Sequence, residues 1–217
     1  MDIQTYIFEP IDARMYVLIE GNSALIVDPS IQKELKDTLK KRQVEKITVL
    51  LTHEHYDHIS GVNWLRDNFS DIEVICSKKS VPGLKDAKIN LSEFYEVLFI
   101  SKDQKIREYV EKMNVQPYSC TADIVFEEEM YMTWKTHSLK LKETPGHSRG
   151  SICILMDDDI LFSGDTLVSG EKTILRLPGG SKKDFAEITM PFLNSLDGEW
   201  MVYPGHGEPQ KLYKYFE

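Results

Sequence analysis

The chain has 217 residues but only three cysteines, Cys76, Cys120 and Cys153, widely spaced and in no C-x-x-C pair. That excludes a disulfide framework and a thiolate-rich structural zinc site, and it reads as three reduced, mostly buried thiols of a cytoplasmic protein. A domain of this length buries roughly 70% of its unfolded surface and needs no covalent staples. No run approaches the roughly 18 consecutive apolar residues of a membrane span, so no membrane partner is expected. The opening "MDIQTYIFEPIDARMYVLIEG" lacks a basic stretch followed by an apolar one, so no signal peptide is expected. Basic charge is also short. The net charge of −9 argues against nucleic acid as a partner, although bound divalent cations would offset part of it. Repeats, low-complexity tracts and linker-like stretches are absent, which favours one domain over residues 1–217.

What is present is ordinary in bulk, 41% apolar and 28% charged. "TYIFEP", "RMYVLIEG" and "SALIVDPS" read as an antiparallel meander of short strands. "IQKELKDTLKKRQ" spaces Ile31, Leu35 and Leu39 four apart, which predicts an amphipathic helix. "KITVLLT" is an all but unbroken apolar run, as for a strand buried on both faces. "ISGVNWLRDNF" returns to helical period, and "IEVICS" is another strand. From about 78 to 127 the pattern weakens around one clear helix, "QKIREYVEKM". "MYMTWKT" with "LKLKETPGH" reads as a hairpin, and "SICILMDDDILFSGDT" as two strands across an acidic turn. "KDFAEITMPFLNSL" predicts a last amphipathic helix before the strand in "EWMVYPGHGE". Strand-rich halves, each followed by helices, predict two packed sheets with helices outside.

Histidine is distributed unevenly. Of six, three fall in "THEHYDH" as His53, His55 and His58, beside Asp57. His147 in "TPGHSRGS", His206 in "YPGHGE" and Asp165 in "FSGDT" likewise follow strands, where a rigid scaffold can converge distant side chains. In extended backbone His53, His55 and Asp57 would share one side and His58 would face another locus. The string is not the H-E-x-x-H of zinc proteases, because Asp57 stands four residues after His53, and Glu54 reads as incidental. Imidazole with carboxylate suits zinc, with iron or manganese as alternatives. Seven such groups are too many for one tetrahedral ion and suit two that share a carboxylate and a water. The sixth histidine, His137, matches no such context and reads as a packing or surface residue.

These motifs, in this order, resemble the metallo-β-lactamase superfamily: THEHYDH matches its H-x-H-x-D-H signature, and TPGHSRGS, FSGDT and YPGHGE its later ligand motifs. The resemblance spans nearly the whole chain and is weakest at about 78–127. It implies an α/β (α+β) fold, a four-layer αββα sandwich with the site at one edge of both sheets. It also implies two divalent cations: His53, His55 and His147 at one, Asp57, His58 and His206 at the other, and Asp165 bridging. Asp165, where one group of true β-lactamases carries cysteine, points to the general hydrolase branch. Within it, Tyr56, "INLS", "LPGGS" and "YPGHGE" resemble the hydroxyacylglutathione hydrolases (glyoxalase II). The chain continues for only eleven residues past His206, where those enzymes carry a helical domain that completes their thiol-substrate pocket, and "TILR" replaces their usual "GRTD".

The implied activity is hydrolysis of an ester-type bond of a small molecule, a thioester favoured, by a metal-bridging hydroxide. Asp57 is a ligand that could also relay a proton. The motifs hold no spare acid, which fits a leaving group as stable as a thiolate. Lactone or phosphodiester hydrolysis on the same fold is the alternative, as is a mono-iron persulfide dioxygenase that uses only part of the ligand set. Tyr56, Arg149 and Arg176 are candidate substrate contacts, with Lys172, Lys182 and Lys183 as a further basic rim. Phe94, Tyr95, Phe99, Tyr109 and Tyr118 read as local core in preference to a lid over the site. The oligomeric state stays open, a homodimer among the options.

Overall fold

A computed structural model describes residues 2–9 and 11–216. Pro10, expected to close the first strand, lies outside the described residues. Strands β1 (Gln4–Phe8), β2 (Ala13–Glu20) and β3 (Ser23–Val27) form the antiparallel meander. Helix α1 (Lys33–Lys41) then leads to β4 (Lys46–Leu50), parallel to β3. Short helices α2 (Tyr56–Ile59) and α3 (Val62–Asn68) lead to β5 (Asp71–Ser77), also parallel. Helices α4 (Val81–Lys85) and α5 (Gln104–Met113), with a 3₁₀ segment at Ser92–Phe99 between them, precede β6 (Ile124–Phe126) at the far edge. The second sheet holds β7 (Glu129–Trp134), β8 (His137–Glu143), β9 (Ile152–Met156) and β10 (Ile160–Gly164), antiparallel in sequence order. Helices α6 (Lys182–Asp184) and α7 (Met190–Leu193) then precede β11 (Met201–Pro204), parallel to β10, and β12 (Gln210–Lys211). Each sheet has six strands, in the orders β1-β2-β3-β4-β5-β6 and β12-β11-β10-β9-β8-β7.

The period of two along the strands builds the layers. On β2 and β3, Tyr16, Leu18, Leu25 and Val27 face the second sheet, where Leu139, Leu141, Ile154 and Phe162 meet them. The alternate residues Met15, Val17, Ala24 and Ile26 face outward, against Leu35 and Leu39 of α1 and Val62 and Leu65 of α3. On the other sheet Cys153, Leu155, Leu161 and Val202 pack under Leu193 of α7. The result is the four-layer αββα sandwich. Leu35 and Leu39 are wholly buried, each worth roughly 1.5–3 kcal/mol of transfer free energy.

The sequence reading misplaces three local features. Ile31 precedes α1 and is 50% exposed, because the helix begins at Lys33 and leaves Ile31 outside its period. The last helix is not regular: a π-helical turn, Phe185–Thr189, joins α6 to α7. Pro191 supplies no N–H there and its ring crowds the carbonyl of the preceding turn, which a wider turn relieves. The aromatic segment divides: Tyr95 is buried and Tyr118 half-buried, whereas Phe94 and Tyr109 are each 47% exposed.

His137 ties the two sheets together. Its Nε2 lies 2.7 Å from Glu20 Oε1 at the end of β2, and its Nδ1 meets Asp157 in the β9–β10 turn. Its ring stacks on Trp134 at 5.9 Å. Burial works against its protonation, but bonds to Glu20 and Asp157 outweigh it and raise its pKa. That contribution is fully present below the unfolded pKa of about 6.5 and is lost as pH rises through the higher folded value. Thermal unfolding of His137→Gln should therefore show a larger deficit against wild type at pH 6 than at pH 9; an equal deficit would refute the charged bridge.

Candidate metal centre

The site begins where β4 ends. Beyond Leu50 the chain leaves the strand through a bend at Thr52 and reaches His55, whose extended φ/ψ of −69°/148° caps α2. His53 and His55 reach one locus, together with His147. Asp57 does not: it lies with His58 in the first turn of α2, so a helical turn and not an extended loop brings both inward.

Three groups of three residues result, one of them the supporting cluster of Asp28, His53 and His58. His53, His55 and His147 offer ligand atoms all within 4.8 Å of one another, and so do Asp57, His58 and His206. Asp165 stands between them. Its Oδ2 is 3.4 Å from His147 Nε2 and 3.5 Å from His206 Nε2, and its Oδ1 is 3.3 Å from His58 Nε2. Asp57 Oδ2 is 3.3 Å from His206 Nε2.

Four of the five rings are aimed by a bond at the far nitrogen, the usual support of a metal-binding histidine. His53 Nδ1 meets Thr52 Oγ1 at 3.1 Å, and His58 Nδ1 meets Asp28 Oδ2 at 3.0 Å. His147 Nδ1 donates to the Ile174 carbonyl at 2.9 Å, and His206 Nδ1 to the Ile11 carbonyl at 2.8 Å. Each leaves Nε2 free to face the site. Among the described residues His53 Nε2, His55 Nε2 and Asp165 Oδ1 are buried with no hydrogen-bond partner. Such orphaned groups are costly unless a ligand satisfies them. His55 Nδ1 also lies 2.9 Å from His147 Nε2, an arrangement two lone pairs adopt around a cation. The donor set fits a pair of divalent metal ions.

Electrostatics separate the groups. Burial, then neighbouring imidazoles, hold His53 well below its ordinary pKa and His55 at about 3; burial likewise lowers His147. These three are neutral donors. Burial also opposes charge in the second group, but Asp57 and Asp165 outweigh it, raising His58 well up and His206 to about 9. Reciprocally, His58 and His206 overcome the burial of Asp57 and bring it to about 2, and histidines hold Asp165 well down. Without metal this quartet is two ion pairs.

Glycines make room. Gly164 has φ of +47°, and a Cβ there would sit 2.3 Å from Thr52 Oγ1; one on Gly205 would sit 2.0 Å from Asp165 Oδ1. Arg14, 5% exposed, clamps the last ligand loop through Glu208 at 2.8 and 3.1 Å and Asp12 at 3.0 Å.

The sequence reading missed three supporting residues. Asp28, buried at the end of β3, accepts from Thr52 N at 2.7 Å and Thr52 Oγ1 at 2.5 Å as well as binding His58. Its signal was there: an aspartate just after an apolar strand, the context of Asp165. Glu54 is not incidental. It is buried, and its carboxylate accepts from Ser148 Oγ at 2.9 Å and Ser80 Oγ at 3.3 Å, joining two ligand loops to the middle segment. Asn90, within "INLS", is fully buried. It donates to the carbonyls of Gly83 and Tyr118, while its own carbonyl accepts from Tyr56 N at 2.9 Å.

A cavity of about 550 Å³ opens over His55, Asp57, His147, Asp165 and His206. One wall is Leu91, Tyr95, Leu98, Phe99 and Ile106; the other runs from Val168 to Leu177 and includes Lys172 and Arg176. Arg176 thus stands on the cavity wall. Arg149, Lys182 and Lys183 do not line the cavity, and neither does Tyr56, whose ring packs on Tyr95 and Tyr118 at 5.1 and 5.5 Å. Tyr95 and Phe99, read as local core, are also cavity wall.

A family model described as Metallo-beta-lactamase superfamily matches residues 10–206. The probable metallo-hydrolase YqgX of Bacillus subtilis is 28% identical, covering 91% of this chain and 86% of its own length. A hydroxyacylglutathione hydrolase of Prochlorococcus marinus is 26% identical over 90% of this chain and 65% of its own length. The crystal structure of the BLEG-1 B3 metallo-beta-lactamase superposes with a TM-score of 0.78 at 28% identity, covering 98% of this chain and 95% of that one. No helix among the described residues is long and apolar enough to cross a membrane.

Two outcomes follow for the isolated protein. Asp28→Asn should weaken zinc binding roughly ten- to a hundred-fold by freeing His58, as supporting carboxylates generally do; unchanged affinity in a chelator competition would refute the role. Zinc must also displace protons from His58 and His206, so apparent affinity should climb from pH 7 towards 9. Calorimetry in buffers of different ionisation heat reads the released protons directly.

Proposed function

Because the chain belongs to the metallo-beta-lactamase superfamily and is a metal-dependent hydrolase, we propose that it is a two-zinc thioester hydrolase of small molecules. The observation that carries the two-metal reading is the seat of Asp165 between the two groups, within 3.5 Å of nitrogens from each. His53, His55 and His147 would hold one ion, and Asp57, His58 and His206 the other. Bound there, the cations would supply Lewis acidity and a water acidic enough to act as nucleophile near neutral pH.

The chain's own side chains then orient and exclude. Thr52, Asp28, Ile11 and Ile174 fix the rings from behind, so that the free nitrogens converge without reorganisation. Tyr95, Phe99 and Leu91 shield one side of the floor from bulk water. Every histidine that lines the cavity, and Asp57, belong to the ligand groups, and Asp165 stands between those groups. No floor residue is left over to protonate a poor leaving group, which favours a bond whose leaving group is stable as an anion. A thioester meets that condition, and it is the bond class named in a hydroxyacylglutathione hydrolase.

The test is metal analysis with a panel of thioester, ester, lactone, phosphodiester and β-lactam substrates. Two zinc ions per chain and preferential thioester turnover are expected, falling to background in His55→Ala, Asp165→Asn and the chelated protein. One iron per chain with persulfide-dependent oxygen uptake would replace the reading with a dioxygenase. No turnover of any panel member by the two-metal protein would sink it.

A further inference from the structure

The cavity floor is polar, but its walls are not. Tyr95, Leu98, Phe99 and Ile106 come from one side, Ile174 and Leu177 from the other. Leu98 is 37% and Ile174 42% exposed, so apolar surface stands open to water at the mouth. Such surface beside a polar centre marks a ligand-covered groove. Lys102, Lys172 and Arg176 stand on the same rim, all exposed, and among the described residues none of them is in an ion pair. Of the two acids on the rim outside the ligand set, Asp12 is engaged by Arg14, and Glu171 stands beside Lys172.

We propose, resting on the hydrolase reading above, that the substrate is amphiphilic: a thioester with an apolar acyl arm along these walls and an anionic group, carboxylate or phosphate, held by the three cations. The floor holds the thioester carbonyl between the two. Water adds its oxygen to the acyl carbon, the C–S bond breaks with its electron pair on sulfur, and the products are a carboxylate, a thiol and a proton. The walls set chain-length preference, and the cations set preference for a charged thiol carrier.

Binding decides this without turnover. S-alkyl 3-mercaptopropionates are thioethers that cannot be hydrolysed, and calorimetry with the zinc-loaded protein reads their affinity from ethyl to octyl. Affinity should rise about two- to fourfold per methylene until the cavity fills, in line with burial of each group. Leu98→Ser and Ile174→Ser, both at half-exposed positions that do not threaten the core, should flatten the series. Each carboxylate should bind more tightly than its primary amide, and the triple change Lys102→Gln, Lys172→Gln, Arg176→Gln should erase that difference. A series flat in wild type overturns the apolar arm. A carboxylate preference that survives the triple change overturns the anion site. If both dependences hold but no thioester is hydrolysed, it is the hydrolase reading that falls, not the assignment of an amphiphilic ligand to this cavity.

Discussion

Asp28 receives three hydrogen bonds in a site that is 2% exposed: two from Thr52 and one from His58. Through them the end of β3, the end of β4 and the first turn of α2 are locked to one carboxylate. Thr52 in turn aims His53 and fills the space beside Gly164, which admits no Cβ and sets the turn into Asp165. Four of the seven candidate ligands therefore take their places from one buried contact. The desolvation cost of that carboxylate is offset because each bond to it also fixes a loop that would otherwise be free. The contact joins the ends of two neighbouring strands of the first sheet to the helix that follows them.

The layers were legible because alternation is a strong code. Met15 and Val17 against Tyr16 and Leu18 sort themselves to opposite faces with no need of distant information. The ligand motifs were legible for another reason: histidines cluster at strand ends only when something uses them. What escaped the sequence depended on pairing across long separations. Glu54 looked idle beside His55, yet its partners, Ser80 and Ser148, lie 26 and 94 residues away. Tyr56, in the middle of the signature, faces Tyr95 and Tyr118 and not the cavity. The middle segment was faint because its helices are short, one of them holding Pro82 and Gly83, and because Phe94 and Tyr109 point to solvent.

The two halves of the centre differ in what they require of their surroundings. The first group is kept neutral by burial, so it presents lone pairs at any physiological pH. The second is kept charged by its own acids, so it holds together as ion pairs before any metal arrives. Preorganisation without the cation is thus built by two opposite devices on either side of Asp165. The cavity above repeats this contrast, with apolar side chains on both walls and exposed cations on the rim.

Asn90 anchors that wall by side-chain bonds to Gly83, Ser92 and Tyr118, and by its carbonyl to Tyr56 N, while Leu91 beside it adopts φ of +70°. The wall beyond is therefore attached to the metal floor at a rigid root, which Tyr95 reinforces by packing on Tyr56. Such an arrangement separates two evolutionary tasks. Exposed residues downstream of the root, such as Leu98, can change without touching the hydrogen bonds that fix the floor. A single catalytic base plate can then be refitted to new substrates one wall at a time.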